Sequence, residues 1–402
     1  MSEPWLSIVG IGEDGLEGLS AAARTLLERA EVIIGGERHL ALLPDDGRER
    51  LTWPSPLHDL VAEIGRRRGQ RVCVLATGDP MHYGIGVTLA RELPAEDMVV
   101  IPAPSAFALA CARLGWSRAE VDTLTLHGRP LAGLFAHLTP GARLLILTED
   151  GAAPAAIARA LTERGYGPSP MVVLEHMGGP QENQIDGMAA AWGDRRVADF
   201  NTLAVDCRAE GGAMAWSSLA GLDDDAFEHD GQLTKREVRA ITLAALAPLP
   251  GEMLWDVGAG SGAVAIEWLR ADRRNRAIAI ERQEARLARI EQNAHALGVP
   301  QLRIVAGAAP AALADLAAPD AIFIGGGITK DGLLDACWRA LPSGGRLVAN
   351  VVTLAGEELL LRERARLGGR LRRIAIEREE PWGGQGGWRA MRRVTQLQAV
   401  KP

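Results

Sequence analysis

Asp256-Val257-Gly258-Ala259-Gly260-Ser261-Gly262 lies where a short apolar run, Glu252–Val257, gives way to a helical pattern over Ala263–Arg270. Glycines at a strand-to-helix turn let the backbone approach a ligand closely. The helix start adds free N–H donors. Glu281 follows at the end of the next strand, Ala277–Ile280, where a carboxylate can accept hydrogen bonds from ribose hydroxyls. The pair implies a nucleotide-containing cofactor in a doubly wound α/β domain. With Ala263 in sixth place the loop also satisfies the dinucleotide pattern G-x-G-x-x-G/A, so an NAD-dependent oxidoreductase is one reading. Asp256, two residues before the first glycine, favours S-adenosyl-L-methionine, because an acidic group there can meet the cofactor's amino-acid ammonium. NAD loops usually carry an apolar residue at that place.

Outward from the loop, the second half has one continuous rhythm. Thr234–Ala247 is predicted as a helix, with Thr234 as N-cap and Glu237 completing a capping box. A helix over Ala285–Leu297 and strands at Leu302–Val305, Ala321–Ile324 and Leu347–Val351 follow. Upstream, from about Asp206 to Gly231, the stretch is rich in glycine, serine and acidic residues and is expected to be an interdomain linker. The first half repeats strand, glycine loop and helix: Leu6–Ile11 into Gly10 and Gly12, Arg71–Ala76 into Gly78-Asp79-Pro80, and Met98–Ile101 into Pro102–Ser105. Alternation of strand and helix in both halves indicates α/β.

A chain of 402 residues suits two cores rather than one. Apolar runs are far shorter than a membrane span, and no secretory leader pattern opens the sequence, so the cytoplasm is the default. Cys73, Cys111, Cys207 and Cys337 are scattered without a CxxC pair, which predicts neither disulfides nor a metal site. The net charge of −7 argues against a nucleic-acid partner. All but three of the 44 basic residues are arginine, the exceptions being Lys235, Lys330 and Lys401. Codon bias explains this, and so does a polycarboxylate ligand gripped by guanidinium forks.

The second half resembles the class I decarboxylating precorrin methyltransferases. The resemblance rests on LTKREVR at 233–239, DVGAGSG at 256–262, Glu281, Val305–Pro310, IGGG at 324–327, LPSGGR at 341–346 and Asn350. The first half resembles the tetrapyrrole methylases, through VGIG at 9–12, TGDPMHYG at 77–84, PAPS at 102–105, LHGR at 126–129 and Glu175–Glu182. The resemblance implies an N-terminal two-subdomain tetrapyrrole-methylase fold at 1–206, a linker at 207–231 and a C-terminal Rossmann-like class I methyltransferase fold at 232–402. It implies one S-adenosyl-L-methionine per domain and a reduced precorrin substrate of cobalamin biosynthesis. That substrate would be methylated at carbons 5 and 15 and would lose the ring C acetate carboxyl as carbon dioxide. Homo-oligomers are common among relatives of the second domain.

Carried over position by position, the cofactor would meet Gly10, Gly12, Gly78, Asp79, Pro80, Pro104 and Ser105 in the first half. In the second it would meet Thr234, Asp256, Gly258, Ala259, Gly260, Ser261, Gly262, Glu281 and Ala309. Ala308 departs from relatives that often carry an acidic residue there. No protein nucleophile is required, since the reduced macrocycle supplies an enamine-like carbon. His127 and Arg129 are the catalytic candidates. Arg129, Arg236, Arg389, Arg392 and Arg393 are carboxylate-binding candidates, and Trp382 and Trp388 are candidates for covering a flat macrocycle or forming a plain apolar patch.

Overall fold

A computed structural model describes residues 4–53, 58–382 and 385–402. The Trp382 side chain lies outside the described part. The chain forms two compact units, Met1–Arg129 with Thr139–Met214, and Pro130–Leu138 with Ala215–Pro402. The division falls at Met214, within the stretch 207–231 expected to be the linker, and residues 130–138 cluster with the second unit. Among the described residues no helix is long and apolar enough to cross a membrane.

In the first unit, β1 (Leu6–Ile11), β2 (Val32–Gly35), β3 (Glu49–Thr52), β4 (Val72–Thr77) and β5 (Met98–Ile101) form a parallel sheet ordered β3-β2-β4-β1-β5. All six residues of β1 are buried, as expected of a parallel strand covered on both faces. A second sheet holds β6 (Asp122–Thr125), β7 (Arg143–Leu147), β8 (Pro170–Glu175), β9 (Asn183–Met188) and β10 (Asn201–Asp206), in the order β6-β7-β10-β8-β9. Its β10 runs antiparallel to both neighbours. These two sheets are the two expected subdomains.

In the second unit the sheet is ordered β13-β12-β11-β14-β15-β19-β16. Its strands are β11 (Met253–Val257), β12 (Arg276–Glu281), β13 (Arg303–Ala306), β14 (Ala321–Ile324), β15 (Arg346–Val351), β16 (Arg370–Ile374) and β19 (Val394–Val400). The first five run parallel and β19 is antiparallel. Strand order reverses between β11 and β14, which makes the carboxyl end of β11 the switch point where such sheets bind ligands. A separate two-stranded sheet pairs β17 (Glu377–Trp382) with β18 (Gln385–Ala390).

Two local expectations give way here. The helix after Leu233 starts at Arg236 with Lys235 as its N-cap and no side-chain cap, so the Thr234–Glu237 box does not form. The Glu237 carboxylate is taken instead by the Arg378 guanidinium, with a closest contact of 2.6 Å. The end of the stretch expected to be a linker is packed: Leu222 and Phe227 join the core cluster that contains Leu233, Leu254 and Trp268.

Candidate active site

At the carboxyl end of β11 the chain turns sharply into the helix Ala263–Ala271. Gly258, Gly260 and Gly262 have φ of 73°, 62° and 78°, the left-handed region that disfavours any Cβ. Space is short as well. A Cβ on Gly258 would lie 3.0 Å from the Gly326 nitrogen, and one on Gly260 2.9 Å from the Gln232 carbonyl oxygen. On Gly262 it would meet Ile290 at 2.9 Å, so that glycine also lets the helix pack closely.

Glu281, at the end of β12, is buried. Its Oε1 accepts the backbone N–H groups of Arg282 and Gln283 at 2.9 and 3.0 Å, and its Oε2 accepts that of Gly260 at 3.0 Å. A carboxylate oxygen accepts about two hydrogen bonds, so Oε2 keeps capacity for a ribose hydroxyl. Three fixed donors also lock the side chain's direction, a rigidity that a ligand would otherwise have to impose.

These groups open on a cavity of about 1060 Å³, lined among others by Thr234, Gly258, Ala259, Gly260, Glu281, Ala309 and Asn350. Six of the nine expected positions in this half therefore share one wall with Glu281 counted among them. Asp256, Ser261 and Gly262 do not line it. Asp256 is buried beneath the loop, where its Oδ2 accepts the Ala265 N–H at 3.1 Å and its Oδ1 has no partner among the described residues. Burial, with the Glu281 charge adding to it, pushes its pKa up to about 7. A direct salt link from Asp256 to a cofactor ammonium does not follow from this placement; the side chain shapes the helix start instead.

Lys235, Arg282, Arg286, Lys330, Arg378, Arg389 and Arg392 line the same cavity, against the carboxylates of Glu281 and Glu380. In a chain of net charge −7 this excess of cations marks a site for a polyanion. Two of the three lysines in the chain are here, beside five of the arginines whose abundance is the compositional signal for a polycarboxylate ligand. Arg378, Arg286, Lys235 and Arg389 are paired internally. Arg282, Lys330 and Arg392 have no carboxylate partner among the described residues. Of the carboxylate-binding candidates, Arg389 and Arg392 reach the wall, Arg236 pairs with Asp223 away from it, and Arg393 lines a neighbouring hollow with Arg392. Trp388 is 76% exposed. Asn350, which sequence reading had included only as part of the resemblance, is held rigidly. Its Nδ2 donates to Thr242 Oγ1 at 2.8 Å and its Oδ1 accepts from Gln396 at 3.0 Å.

In the first unit three loops meet at the carboxyl ends of β1, β4 and β5. The Gly78 N–H donates to the Ile11 carbonyl at 3.0 Å, and the Ala103 N–H to the Gly78 carbonyl at 3.0 Å. A Cβ on Gly10 would overlap the Gly78 carbonyl oxygen and the Ala103 nitrogen. Gly78 has φ 58°, and a Cβ there would stand 2.9 Å from the Pro104 carbonyl oxygen. The Gly10–Gly12, Gly78–Pro80 and Pro104–Ser105 loops are thus brought together. Asp79 makes a turn, its Oδ1 accepting the Met81 N–H at 2.9 Å, and Ser105 caps the helix Ala106–Leu114 through the Ala108 N–H at 3.2 Å.

Beyond Gly12, Glu13 accepts from Arg38 and lies 2.9 Å from His176 Nδ1, which belongs to the second sheet's end of the unit. Neither Glu13 nor Arg38 was anticipated, because the partners are far apart in sequence. His39 is buried with its Nε2 2.9 Å from Thr77 Oγ1. Burial, reinforced by the neighbouring Arg38 charge, lowers its pKa to about 4. His127 is largely exposed, with Nδ1 3.8 Å from Glu149, while the Arg129 guanidinium sits 5.5 Å from the Tyr83 ring centroid.

The fold, with a glycine cradle at the carboxyl ends of parallel strands in each half, is that of an α/β methyltransferase. A family model described as "Tetrapyrrole (Corrin/Porphyrin) Methylases" matches residues 6–191, and one described as "Precorrin methyltransferase domain" matches residues 225–401. A Sinorhizobium protein named "Precorrin-6Y C(5,15)-methyltransferase [decarboxylating]" is 50% identical over 399 residues, covering 99% of this chain and 97% of that protein. The chain belongs to this family, S-adenosylmethionine-dependent methyltransferases of cobalamin biosynthesis. Two further relatives are shorter. A Salmonella typhimurium "Cobalt-precorrin-7 C(5)-methyltransferase" is 34% identical over 172 residues, 43% of this chain and 85% of that one. A Saccharolobus solfataricus "Probable cobalt-precorrin-6B C(15)-methyltransferase (decarboxylating)" is 32% identical over 148 residues, 35% of this chain and 74% of that one. The dinucleotide reading of the 258–263 loop finds no support in these matches and is set aside.

Proposed function

We propose that the two methylations of a reduced precorrin are divided between the halves, each holding its own S-adenosylmethionine. The first half acts at carbon 5, and the second acts at carbon 15 and removes the ring C acetate carboxyl as carbon dioxide. One observation carries this: each half has its own backbone cradle at the carboxyl ends of parallel strands, built from unrelated sequence and closed by different neighbours. Relatives whose names carry a single methylation, and which match less than half of this chain, support the division.

Bound cofactor supplies an electrophilic sulfonium methyl group. The residues of the chain bind, orient and screen. In the second half the 258–260 backbone and the Oε2 of Glu281 hold the nucleoside, with Glu281 taking no part in proton transfer. Arg282, Lys330 and Arg392 receive substrate carboxylates, because their charges are not spent on internal partners. The fixed Asn350 amide keeps one N–H free for a polar edge of the ligand. Placement of the nucleophilic carbon in line with the methyl group at roughly 3–3.5 Å is the main catalytic contribution. Carbon dioxide loss needs an electron sink, which the conjugated imine of the macrocycle provides. In the first half the loops at Gly10–Gly12, Gly78–Pro80 and Pro104–Ser105 hold the cofactor, with Arg129 available to a substrate carboxylate.

Equilibrium dialysis with labelled S-adenosylmethionine should find two sites per chain. Mass spectrometry of the product should find two added methyl groups and one carboxyl lost. A single binding site would overturn the division.

A further inference from the structure

The cation-rich wall of the second-half cavity is held in place by a carboxylate from a stretch that composition marks as a linker. Asp224 lies just before the matched precorrin methyltransferase segment, in the run Asp223-Asp224-Asp225. Its side chain is 11% exposed and meets four groups. Oδ2 accepts from Arg378 Nη1 and Nη2 at 3.0 and 3.1 Å and stands 3.7 Å from Lys235 Nζ. Oδ1 accepts the Arg236 N–H at 2.9 Å and lies 3.4 Å from the buried Arg239 guanidinium. Arg378 and Lys235 are both on the cavity wall.

Arg378 sits on β17, whose partner β18 carries Arg389 at the register position facing it. A lone two-stranded sheet is marginal in water and takes its orientation from what it is tied to. At its base, Ile374 and Val394 pack with Val238. Further out, Arg378 fastens β17 to Asp224 and to Glu237, which accepts from it at 2.6 and 3.2 Å. The carboxylates hold the Arg378 guanidinium above its ordinary pKa, and Arg378 in turn holds Glu237 below its own. A guanidinium satisfied by two carboxylates is a tie rather than a substrate ligand. What it ties is the strand pair that presents Glu380 and Arg389 to the cavity.

We propose that Asp224 is a positioning residue for the macrocycle in the second-half reaction. Through Arg378 it fixes the β17–β18 pair, and through Lys235 it fixes the start of the helix beside the cofactor cradle. This rests on the reading of the cavity as the site of carbon 15 methylation and decarboxylation. Losing the carboxylate charge leaves Arg378 to Glu237 alone and lets the strand pair move relative to the 258–260 loop. Substrate binding then suffers while the chemistry of a correctly placed substrate does not.

The test uses the full chain with the reduced precorrin. For Asp224→Asn, KM in the carbon dioxide-releasing half-reaction should rise about tenfold with kcat within about twofold, the pattern of lost uniform binding. Asp224→Glu should restore most of it. Carbon 5 methylation by the first half should not change. Glu237→Gln, which leaves Arg239 its partners, should raise the same KM by a smaller factor, so a folding defect at Asp224 does not decide the outcome. An unchanged or lowered KM in both variants would overturn the inference, a lowered one by showing that Arg378 competes for substrate carboxylates. If the wild-type second half binds no cofactor or releases no carbon dioxide, the underlying reading fails instead.

Discussion

The two glycine cradles are built by different physics. In the first unit glycine is demanded by backbone pressed against backbone: a Cβ on Gly10 has nowhere to go between the Gly78 carbonyl and the Ala103 nitrogen. In the second, glycine is demanded mainly by left-handed φ at Gly258 and Gly260, and a buried carboxylate, Glu281, braces the turn. The first is a junction of three loops, the second a single loop with a brace. Damage to the first should therefore be all-or-none, and damage to the second graded.

The sharpest way to break this contrast is Gly10→Ala. Forcing a methyl group between two backbone atoms costs about 1–3 kcal/mol in a packed site. Here it displaces the Gly78 loop itself. Carbon 5 methylation should fall by roughly 100-fold, while carbon dioxide release by the second half stays unchanged. Product mass spectrometry separates the two: a product with one methyl group gained and one carboxyl lost is expected. Equal loss of both activities would show that the cradles are not independent.

Next in size is Glu281→Ala. Hydrogen bonds to a charged group are worth about 1.5–3 kcal/mol, so one of the two cofactor sites should weaken by roughly 10–100-fold. Dialysis should then show one tight and one weak site where the wild type has two tight ones. Glu281→Gln with full cofactor affinity and no turnover would instead give Glu281 a role in proton transfer.

The macrocycle side comes third. Arg392→Ala should raise KM in the second-half reaction about three- to tenfold, and added salt should erase much of the difference, since the side chain is exposed and screened. Arg236→Ala should leave the same KM unaltered, because Arg236 pairs with Asp223 outside the cavity.

What the sequence made legible follows from locality. The Gly258–Gly262 turn, Glu281 and the paired glycine loops of the first half are short-range patterns with a mechanical meaning, and each lies where reading placed it. The hub at Asp224 was hidden because its partners, Arg236, Arg239 and Arg378, are brought together by folding and leave no periodic trace. Asp223-Asp224-Asp225 therefore reads as part of an interdomain linker. The β17–β18 pair was obscured by glycine-rich composition that suits a loop equally well. Asp256 was legible as special, but its burial and the hydrogen bond of its Oδ2 to the Ala265 N–H leave no trace in the sequence.

The smallest predicted effect concerns pH, and here the halves should differ in sign. His39 has an ordinary value of 6.5 and is lowered to about 4 by burial and by Arg38. Between those values the unfolded chain binds the proton more readily, so the contribution of His39 to stability is full above pH 6.5 and fades as pH falls toward 4. Asp256 runs the other way: its ordinary value of 3.8 is raised to about 7, so the folded chain holds the proton more tightly. Its contribution is full below pH 3.8 and is lost as pH rises through 7. His39→Gln and Asp256→Asn remove each titration while leaving a hydrogen-bonding side chain in place. Thermal unfolding of cofactor-free protein across pH 4–8 should show the wild type gaining on His39→Gln as pH rises to 6.5, and losing ground to Asp256→Asn up to about pH 7. Two curves of the same sign would mean that one of these buried groups is not held in the protonation state its surroundings dictate. In the case of Asp256, a curve of the sign predicted for His39 would mean that its carboxylate stays ionised in the folded chain despite its burial.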